Sequence, residues 1–402
     1  MTPLFTSYRQ QRLPSPQTRR LKKVKKKGCA VITSRTHYCR LSPERSFIYQ
    51  PRVIMMTRKN NWLLTAVQIG LLAWSGATLA ADKVYVANEG ADTVSVLDAV
   101  SFKTLASVRA GKAPHNVQVS PDGKLVWVTN NGEPDQAADA SAQEGMAKAD
   151  HEAMAKPGAV WAIDTSSNAI VAKVPVGMHP AHVVVSPDGR FAYVTNGGDN
   201  TISVIDTTAQ RLVVTIPVGR FPHGLRFSPD GKQVYVANLK GGTVSVIDTA
   251  SQKEVGQIPA GKGPAQVGFT PDGLLAFVSL SEENAVAVID PTTQKVIRKV
   301  AVGTVPIQLY VTPDSRTLLV ANQGTRKNPG KTTSMIDLKS FKVAKTVVTG
   351  AGAHGVVVDR ESRYAYVTNT YANSVSVVDV KNRKVVKTVP VGKGPNGISV
   401  TP

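Results

Sequence analysis

A repeat of about 42 residues, running from residue 82 to the carboxyl terminus, constrains the fold of this chain more than any other feature. The residue that ends one apolar run is asparagine in most copies: Asn88, Asn130, Asn196, Asn238, Asn322 and Asn369. Leu280 takes this position in the remaining copy. An aspartate closes the next apolar run in every copy: Asp98, Asp164, Asp206, Asp248, Asp290, Asp337 and Asp379. Successive copies are 42 residues apart, except for intervals of 66 and 47, so seven copies are present and two carry insertions.

One copy shows what each repeat folds into. Three short runs of alternating or β-branched apolar residues predict strands at Leu225–Phe227, Val234–Ala237 and Thr243–Ile247, and a fourth strand follows up to Ile258. The sequence SPDG at Ser228–Gly231 favours a tight turn between the first two strands. A single four-stranded sheet cannot bury both of its faces, and repeats of this length with four strands are typical of radial propellers. The sequence therefore predicts an all-β, seven-bladed propeller of antiparallel sheets.

The motifs inside the repeats resemble a known family. The sequence YVTN occurs at 193–196 and 366–369, SPDG at 120–123, 186–189 and 228–231, and VIDT at 204–207 and 246–249. These residues resemble the YVTN-repeat β-propeller family, which includes YncE-like periplasmic proteins. The resemblance covers residues 82–402 and implies the same propeller fold.

The order of the strands predicts how the ring closes. The repeat region enters on Val84–Ala87, which corresponds to the second strand of a blade, and it finishes on a lone innermost strand, Gly397–Val400. We expect this last strand to pair with Val84–Ala87 and to complete the first blade. Such pairing removes the exposed sheet edges that otherwise favour aggregation.

The amino-terminal region has a different character from the repeats. Residues 1–54 show no apolar periodicity and are predicted to be a disordered leader or an upstream extension of the reading frame. Met55 or Met56 is followed by Arg58-Lys59, an apolar run and small residues up to Ala81, which is the pattern of a secretory signal peptide at residues 55–81. We therefore expect export to the periplasm and no stable membrane span after removal of the signal.

Charge and cysteine usage exclude several function classes. The formal net charge is +20, but residues 82–402 hold 33 basic and 27 acidic residues, so the propeller is only mildly basic. Both cysteines, Cys29 and Cys39, precede the repeats, which excludes disulfides, thiolate metal sites and c-type haem attachment in the propeller. The glycines of Gly350–Gly355 fit a dinucleotide-binding motif, but no helix is predicted after them. Nothing in the pattern favours an enzyme.

The two insertions indicate a binding face. They fall at Asn131–Gly158 and near Gln323–Thr333, between the second and third strands of their blades, on the face that also carries the loops leading into each innermost strand. Loops on a rigid scaffold are where function concentrates, so we expect a non-enzymatic, monomeric scaffold that binds a protein or a small ligand there. A polyanion or single-stranded nucleic acid is the weaker alternative, because the net charge is small. The candidate contact residues are Lys112, Asn116, Arg220, Lys262, Lys393 and Asn396.

The histidines of this region suggest a further alternative, a metal-binding accessory to a redox system. All but one of them lie in or next to the loops that enter the innermost strands, around one mouth of the central channel. Imidazole suits zinc and copper, and methionines flank the histidine of the long insertion, which favours copper; the propellers of nitrous oxide reductases and of haem-containing nitrite reductases are similar in plan. Histidines that only bond loop backbone are the competing interpretation. On a regular strand His182 is out of register with its counterparts and is predicted to face the other way. The candidate ligands are His115, His151, His179, His182, His223 and His354.

Overall fold

The computed structural model describes residues 82–131 and 157–402, and these residues form seven four-stranded antiparallel sheets. The predicted seven-bladed, all-β propeller is therefore confirmed. The leader at 1–54, the signal peptide at 55–81 and most of the 131–158 insertion lie outside the described residues. Within the described part of the chain the helical structure is one 3-10 turn, Glu89–Ala91, and no helix is long and apolar enough to cross a membrane.

The first four blades follow the chain in order, and within each the strands run from the inside outward, except that the first blade takes its innermost strand from the end of the chain. The first blade contains β1 (Lys83–Asn88), β2 (Thr93–Asp98) and β3 (Thr104–Arg109). The second contains β4 (Pro114–Val119), β5 (Leu125–Asn130), β6 (Pro157–Asp164) and β7 (Ile170–Met178). The third contains β8 (Pro180–Val185), β9 (Phe191–Asn196), β10 (Thr201–Asp206) and β11 (Arg211–Pro217). The fourth contains β12 (Pro222–Phe227), β13 (Gln233–Asn238), β14 (Thr243–Asp248) and β15 (Lys253–Pro259).

The last three blades repeat the same order. The fifth contains β16 (Pro264–Phe269), β17 (Ala276–Leu280), β18 (Ala285–Asp290) and β19 (Lys295–Ala301). The sixth contains β20 (Pro306–Val311), β21 (Thr317–Gly324), β22 (Pro329–Asp337) and β23 (Lys342–Val348), and its insertion lengthens the β21–β22 hairpin. The seventh contains β24 (Ala353–Val358), β25 (Tyr364–Asn369), β26 (Ser374–Asp379) and β27 (Lys384–Pro390), after which β28 (Pro395–Val400) follows.

The ring closes as predicted. Strand β28 pairs antiparallel with β1, with Val84 opposite Val400 and Val86 opposite Ile398, so the last strand of the chain is the innermost strand of the first blade. Ile398 packs in an apolar cluster that joins the first and seventh blades. Closure therefore completes both a sheet and the apolar layer between two sheets.

Each blade depends on its neighbour for a core. The apolar cluster between the fourth and fifth blades, for example, joins Tyr235 and Val246 of one sheet to Val267, Phe269 and Ala276 of the next. The second strand of every blade is buried on both faces, which explains its nearly continuous apolar sequence. The repeat residues serve this architecture. Asn238 is fully buried, and its Nδ2 donates to the hydroxyls of Thr243 at 3.0 Å and Ser245 at 2.8 Å on the adjacent strand.

Hydrogen bonds between blades fix the positions of the innermost strands. The hydroxyl of Thr195 on β9 donates to the backbone carbonyl of His223 in the next blade at 2.7 Å. Thr129 on β5 donates in the same way to the carbonyl of Ala181 at 2.8 Å. These residues belong to the YVTN-type segments, so the repeat motif holds the backbone of the strands that line the channel.

Each innermost strand also begins with an irregularity in its pairing. In β8 the register shifts between Pro180 and Val183, so that two residues of this strand lie opposite one residue, Thr195, of β9. The hydroxyl of Thr195 accepts the amide hydrogen of His182 at 2.9 Å, in place of a backbone carbonyl. Similar register shifts occur near the start of β4, β12, β16, β20, β24 and β28. A bulge of this kind changes the direction of the side chains that follow it.

Candidate metal centre

Three histidines from neighbouring blades converge inside the channel of the propeller. They are His115 on β4, His182 on β8 and His223 on β12, and each offers a ring nitrogen that lies within 4.8 Å of those of the other two. The ring centroids of His182 and His223 are 4.7 Å apart, and those of His115 and His223 are 5.5 Å apart. The fold therefore gathers residues separated by more than one hundred positions into one cluster of imidazoles.

His354 extends this cluster from the other side of the channel. Its ring centroid lies 6.1 Å from that of His115, although its strand, β24, belongs to the seventh blade. His179 lies outside the cluster, in the loop before β8, where its ring packs edge-on against Phe221 with centroids 5.5 Å apart. His151 falls outside the described residues. Of the six candidate histidines, the structure thus brings four together.

The position of His182 differs from the expectation based on strand alternation. A regular strand would turn His182 away from His115 and His223, yet its ring lies against both of theirs. The cause is the bulge at the start of β8, which interrupts the two-residue alternation between Pro180 and Val183. The prediction for this residue was wrong because it assumed an unbroken ladder.

The hydrogen bonds around two of the rings leave their Nε2 atoms available. Nδ1 of His223 lies 2.9 Å from the carbonyl oxygen of Ala265, so this nitrogen carries the proton and donates it. Nδ1 of His115 lies 3.5 Å from Oε1 of Glu89, while its Nε2 is buried and has no partner. Asn396 donates to the other carboxylate oxygen of Glu89. A histidine that donates from one nitrogen to a carbonyl or carboxylate is oriented to bind a metal through the other.

Four of the described histidines, His115, His179, His182 and His354, have a buried ring nitrogen without a hydrogen-bond partner among the described residues. Two of them are almost fully buried: His182 is 2% exposed and His354 is 5% exposed. Leaving a buried polar atom without a partner costs about 1–3 kcal/mol. A bound ion would satisfy these nitrogens in the three histidines that belong to the cluster.

The protonation states also suit metal binding. Burial, together with the positive charge that the neighbouring imidazoles would carry, holds the pKa of His182 and of His354 well below the usual value for histidine. The same causes lower the pKa of His223 to about 3. These rings are therefore neutral at pH 7, and a histidine must be neutral to bind a metal.

The lowered pKa values predict that acid destabilises the metal-free protein well above the pH at which carboxylates titrate. The unfolded chain protonates these histidines below about pH 6.5, whereas folded His223 resists protonation down to about pH 3. Between these two pH values the unfolded state binds more protons than the folded state, so the free energy of unfolding falls as the pH falls. Above about pH 6.5 the free energy of unfolding does not change with the protonation of these histidines. Urea unfolding in a chelator should show a loss on the order of 2 kcal/mol per buried histidine between pH 7.5 and pH 5.

A matched variant assigns this loss to the cluster. His223→Gln keeps an amide donor for the carbonyl of Ala265 and removes one titrating group, so its free energy of unfolding should depend less steeply on pH. Equal stability of the wild-type protein at pH 7.5 and pH 5 would show that the histidines are not buried as neutral rings.

The geometry of the cluster fits a single metal ion. Zinc–imidazole bonds are about 2.0–2.1 Å long, which places the nitrogens of a tetrahedral site about 3.3–3.4 Å apart. The three nitrogens already lie within 4.8 Å of one another, so small side-chain rotations bring them to bonding positions. The sequence analysis missed Glu89, whose position one residue after the end of β1 gives no sign that it reaches His115.

The other candidate contact residues are divided between the channel and the surface. Asn116 and Asn396 are buried at the channel, and Asn396 joins the cluster through Glu89. Lys112 forms an ion pair with Asp92 at 3.1 Å. Arg220, Lys262 and Lys393 are exposed in separate loops.

Comparisons with known proteins point to propellers and to haem proteins. Residues 152–272 match the family model of the cytochrome D1 heme domain, and residues 328–402 match that of the YNCE-like beta-propeller. A curated relative, antigen Lp49 of Leptospira interrogans, is 26% identical over 123 residues. That alignment covers 31% of this chain and 25% of the relative, so the chain matches about a quarter of its length.

Solved structures with the same fold are more distant in sequence. Hydrazine synthase of Kuenenia stuttgartiensis superposes with a TM-score of 0.59 at 21% identity, covering 71% of this chain and 89% of that one. A functionally unknown protein from Desulfotomaculum acetoxidans gives a TM-score of 0.64 at 16% identity, covering 79% of this chain and 98% of that one. Dihydro-heme d1 dehydrogenase NirN, in complex with DHE, superposes with a TM-score of 0.56 at 18% identity, covering 79% of this chain and 74% of that one. At these identities the likeness shows the fold alone.

The fold and the cluster define a seven-bladed β-propeller with buried, neutral histidines in its channel. The repeat motifs resemble those of the YncE-like β-propellers, and residues 328–402 match the model of that family.

The described residues fit an ion better than they fit a haem. The rings of His115, His182 and His223 lie 4.7–5.8 Å apart between centroids, which is too close for any two of them to bind opposite faces of a macrocycle. The channel cavity that His182 lines has a volume of about 60 Å³. Pockets for ligands of drug-like size are typically about 300–1,000 Å³. This cavity is therefore too small for a haem.

Proposed function

We propose that this protein is an exported, non-enzymatic propeller that binds one transition-metal ion in its channel. The observation that carries the proposal is the convergence of the ring nitrogens of His115, His182 and His223 within 4.8 Å. His354, whose unpartnered Nδ1 is buried beside them, supplies the fourth imidazole. Signal-peptide features at residues 55–81 support export to the periplasm.

The donor set favours zinc or copper. Imidazole is a good ligand for both ions, whereas magnesium and calcium require oxygen ligands. The converging atoms are imidazole nitrogens, and the carboxylate of Glu89 approaches the outer nitrogen of His115. A closed set of four protein ligands is typical of a structural or carrier site, because a catalytic site keeps an open position. We therefore propose that the protein binds the metal ion and does not use it for catalysis.

The face around the histidines is the proposed site of contact with a partner. It carries the β21–β22 hairpin and the loops that enter the innermost strands, and the 131–158 insertion begins and ends there. A metal held at the channel mouth would be reached from this face. A partner protein that delivers or receives the ion, or a small ligand, would dock on these loops.

Metal titration of the purified protein tests the proposal. After treatment with a chelator, we expect the wild-type protein to bind one equivalent of Zn²⁺ or Cu²⁺ in isothermal titration. The double variant His115→Ala/His223→Ala should bind none, because it removes two of the converging ligands. His179→Asn is the control, because His179 lies outside the cluster and asparagine tolerates the positive φ of 54° at that position.

Three outcomes decide between the alternatives. Tight binding by the wild type and the control, with loss in the double variant, supports the site. Equal binding by the double variant would place the metal elsewhere in the chain. Absence of binding by the wild type would leave only the scaffold role, in which the loops of this face bind a partner without a metal.

Haem is the second candidate, because residues 152–272 match the cytochrome D1 heme domain and include His179, His182 and His223. Since a macrocycle does not fit between the rings, it would have to lie on the mouth of the channel. Titration with haem, followed by visible absorbance, tests this directly. If His179→Asn abolishes a Soret shift that the double variant keeps, the protein binds haem through His179, and the proposal of a bound metal ion is replaced by one of bound haem.

A further inference from the structure

The cavity that His182 lines lies in the channel next to the histidine cluster. It has a volume of about 60 Å³, and residues from the innermost strands of all seven blades line it. His182 lies at its boundary with the cluster, because it also belongs to the group of converging imidazoles. Asn116, Gln266 and Gln308 occupy the same position as His182 on their own strands, two residues after the first proline, and the remaining lining residues come from further along the strands. A strand advances about 3.3 Å per residue, so Arg226, three residues after His223, lies about 10 Å further along the channel.

The charge in this cavity is unbalanced. The seven innermost strands contain no aspartate or glutamate, and Arg226 is their only lysine or arginine. Its guanidinium lies 5.8 Å from the ring centroid of Tyr310, and it forms no ion pair with any described residue. Burial lowers the pKa of Arg226, but an arginine remains protonated at neutral pH. The innermost strands therefore bring one positive charge into the channel and no carboxylate of their own to balance it.

A second group in the cavity lacks a partner as well. Gln308 is 4% exposed and lines the cavity, and its Nε2 donor has no hydrogen-bond partner. The neighbouring amides are used within the protein. Nε2 of Gln118 donates to the carbonyl of Val119 at 3.1 Å, and Oε1 of Gln266 accepts the amide hydrogen of Val267 at 3.2 Å. A partly buried cation and a buried free donor thus line the same small space.

The size of the cavity limits what it can hold. One water needs about 10–15 Å³ of such volume, so the cavity has room for roughly four to six waters or for a small molecule of similar size. We propose that it binds a small, planar oxyanion, such as nitrate, formate or bicarbonate, with Arg226 as the charged donor and Gln308 as the neutral one. A guanidinium presents two parallel N–H groups to such an anion, and hydrogen bonds to charged groups are about twice as strong as neutral ones. The proposal does not depend on the metal site, because neither residue is one of its ligands.

The test uses the full protein in the presence of a chelator, so that the metal site plays no part. Sodium nitrate or sodium formate replaces sodium gluconate at constant ionic strength, because gluconate is too large for the cavity. We expect either anion to raise the Tm of the wild-type protein and to give a saturable isotherm in titration calorimetry. An anion that binds only the folded state stabilises it by mass action.

Two variants and a matched control locate the binding. Arg226→Gln should weaken anion binding at least tenfold and should raise the Tm measured without the anion, because it removes a partly buried charge that has no ion-pair partner among the described residues. Gln308→Leu should weaken binding less, since it removes a neutral donor. Arg298→Gln is the control: Arg298 also lies over an aromatic ring, that of Phe341 at 5.2 Å, but it is exposed on the outermost strand β19.

The proposal is supported if the Arg226 variant loses the response and the Arg298 variant keeps it. It is overturned if nitrate and formate leave the wild-type protein unchanged relative to gluconate. It is also overturned if Arg226→Gln responds to the anions as strongly as the wild type does, since the anions would then act elsewhere on the surface.

Discussion

Deletion of residues 395–402, which removes β28, should abolish the cooperative unfolding of the propeller. The deletion exposes the edge of β1, where Val84 and Val86 now pair with Val400 and Ile398. It also removes the hydrogen bond from the hydroxyl of Thr368 to the carbonyl of Asn396 at 2.8 Å, which ties the seventh blade to the first. An open ring with an unpaired, apolar strand edge is prone to aggregate. Calorimetry of the truncated protein should show a broad transition or none.

A single substitution tests the same closure in a protein that still folds. Ile398→Ala should lower the free energy of unfolding by about 2–4 kcal/mol, because Ile398 is 6% exposed and packs between two blades. Ile297→Ala, on the outermost strand β19, is the control and should change stability by about 0.5 kcal/mol or less, since Ile297 is 55% exposed. If the truncated protein melts at the same Tm as the intact one, β28 does not close the ring.

The fold could be predicted from the sequence because the same pattern of strands and turns recurs in every repeat. Alternating apolar residues placed a strand at Val234–Ala237, and the structure extends it by one residue at each end to Gln233–Asn238. The first strand of that copy was placed at Leu225–Phe227, but the structure begins it at Pro222. The first residues of this strand include a proline and a glycine, so they do not show the alternation of apolar and polar residues by which the other strands were predicted. Asp248, which closes the third strand of that copy, accepts hydrogen bonds from the backbone and hydroxyl of Ser251, at 2.8 and 2.6 Å.

The candidate site could be predicted only in part. The repeat alignment placed His115, His223 and His354 at equivalent positions, and therefore at one level of the channel. It could not place His182, because the bulge that redirects this side chain depends on pairing between strands and not on local sequence. Arg226 was passed over for a related reason. A single arginine on an apolar strand is usually exposed, and its burial follows only from closure of the ring around the channel.

The arrangement of the cluster implies a conflict between stability and binding. A core built only for stability would fill the space of His182 with an apolar side chain, since its Nε2 is buried without a partner. It would also avoid bringing His115 against His182 and His223, because the positive charge that His115 would carry lowers the pKa of both. Proteins tolerate such unfavourable groups mainly at functional sites. A variant that relieves the conflict should therefore gain stability and lose function together.

His182→Leu is that variant. Without metal, its free energy of unfolding should rise by about 1 kcal/mol, because the substitution removes a buried, unpartnered polar atom and keeps a side chain of similar size. Its affinity for Zn²⁺ or Cu²⁺ should fall by at least about 100-fold, since loss of a second-shell partner alone costs about 10- to 100-fold. Urea unfolding in a chelator and competition with a chromophoric chelator measure the two effects.

The two measurements together separate a ligand from a structural histidine. If His182 served only the packing of β8, the leucine variant would lose stability and metal affinity would be unchanged. If metal affinity and stability both stayed at the wild-type values, neither interpretation of His182 would hold. The opposite signs expected here, a gain in metal-free stability and a loss of metal affinity, arise only if the unpartnered Nε2 of His182 is reserved for a bound ion.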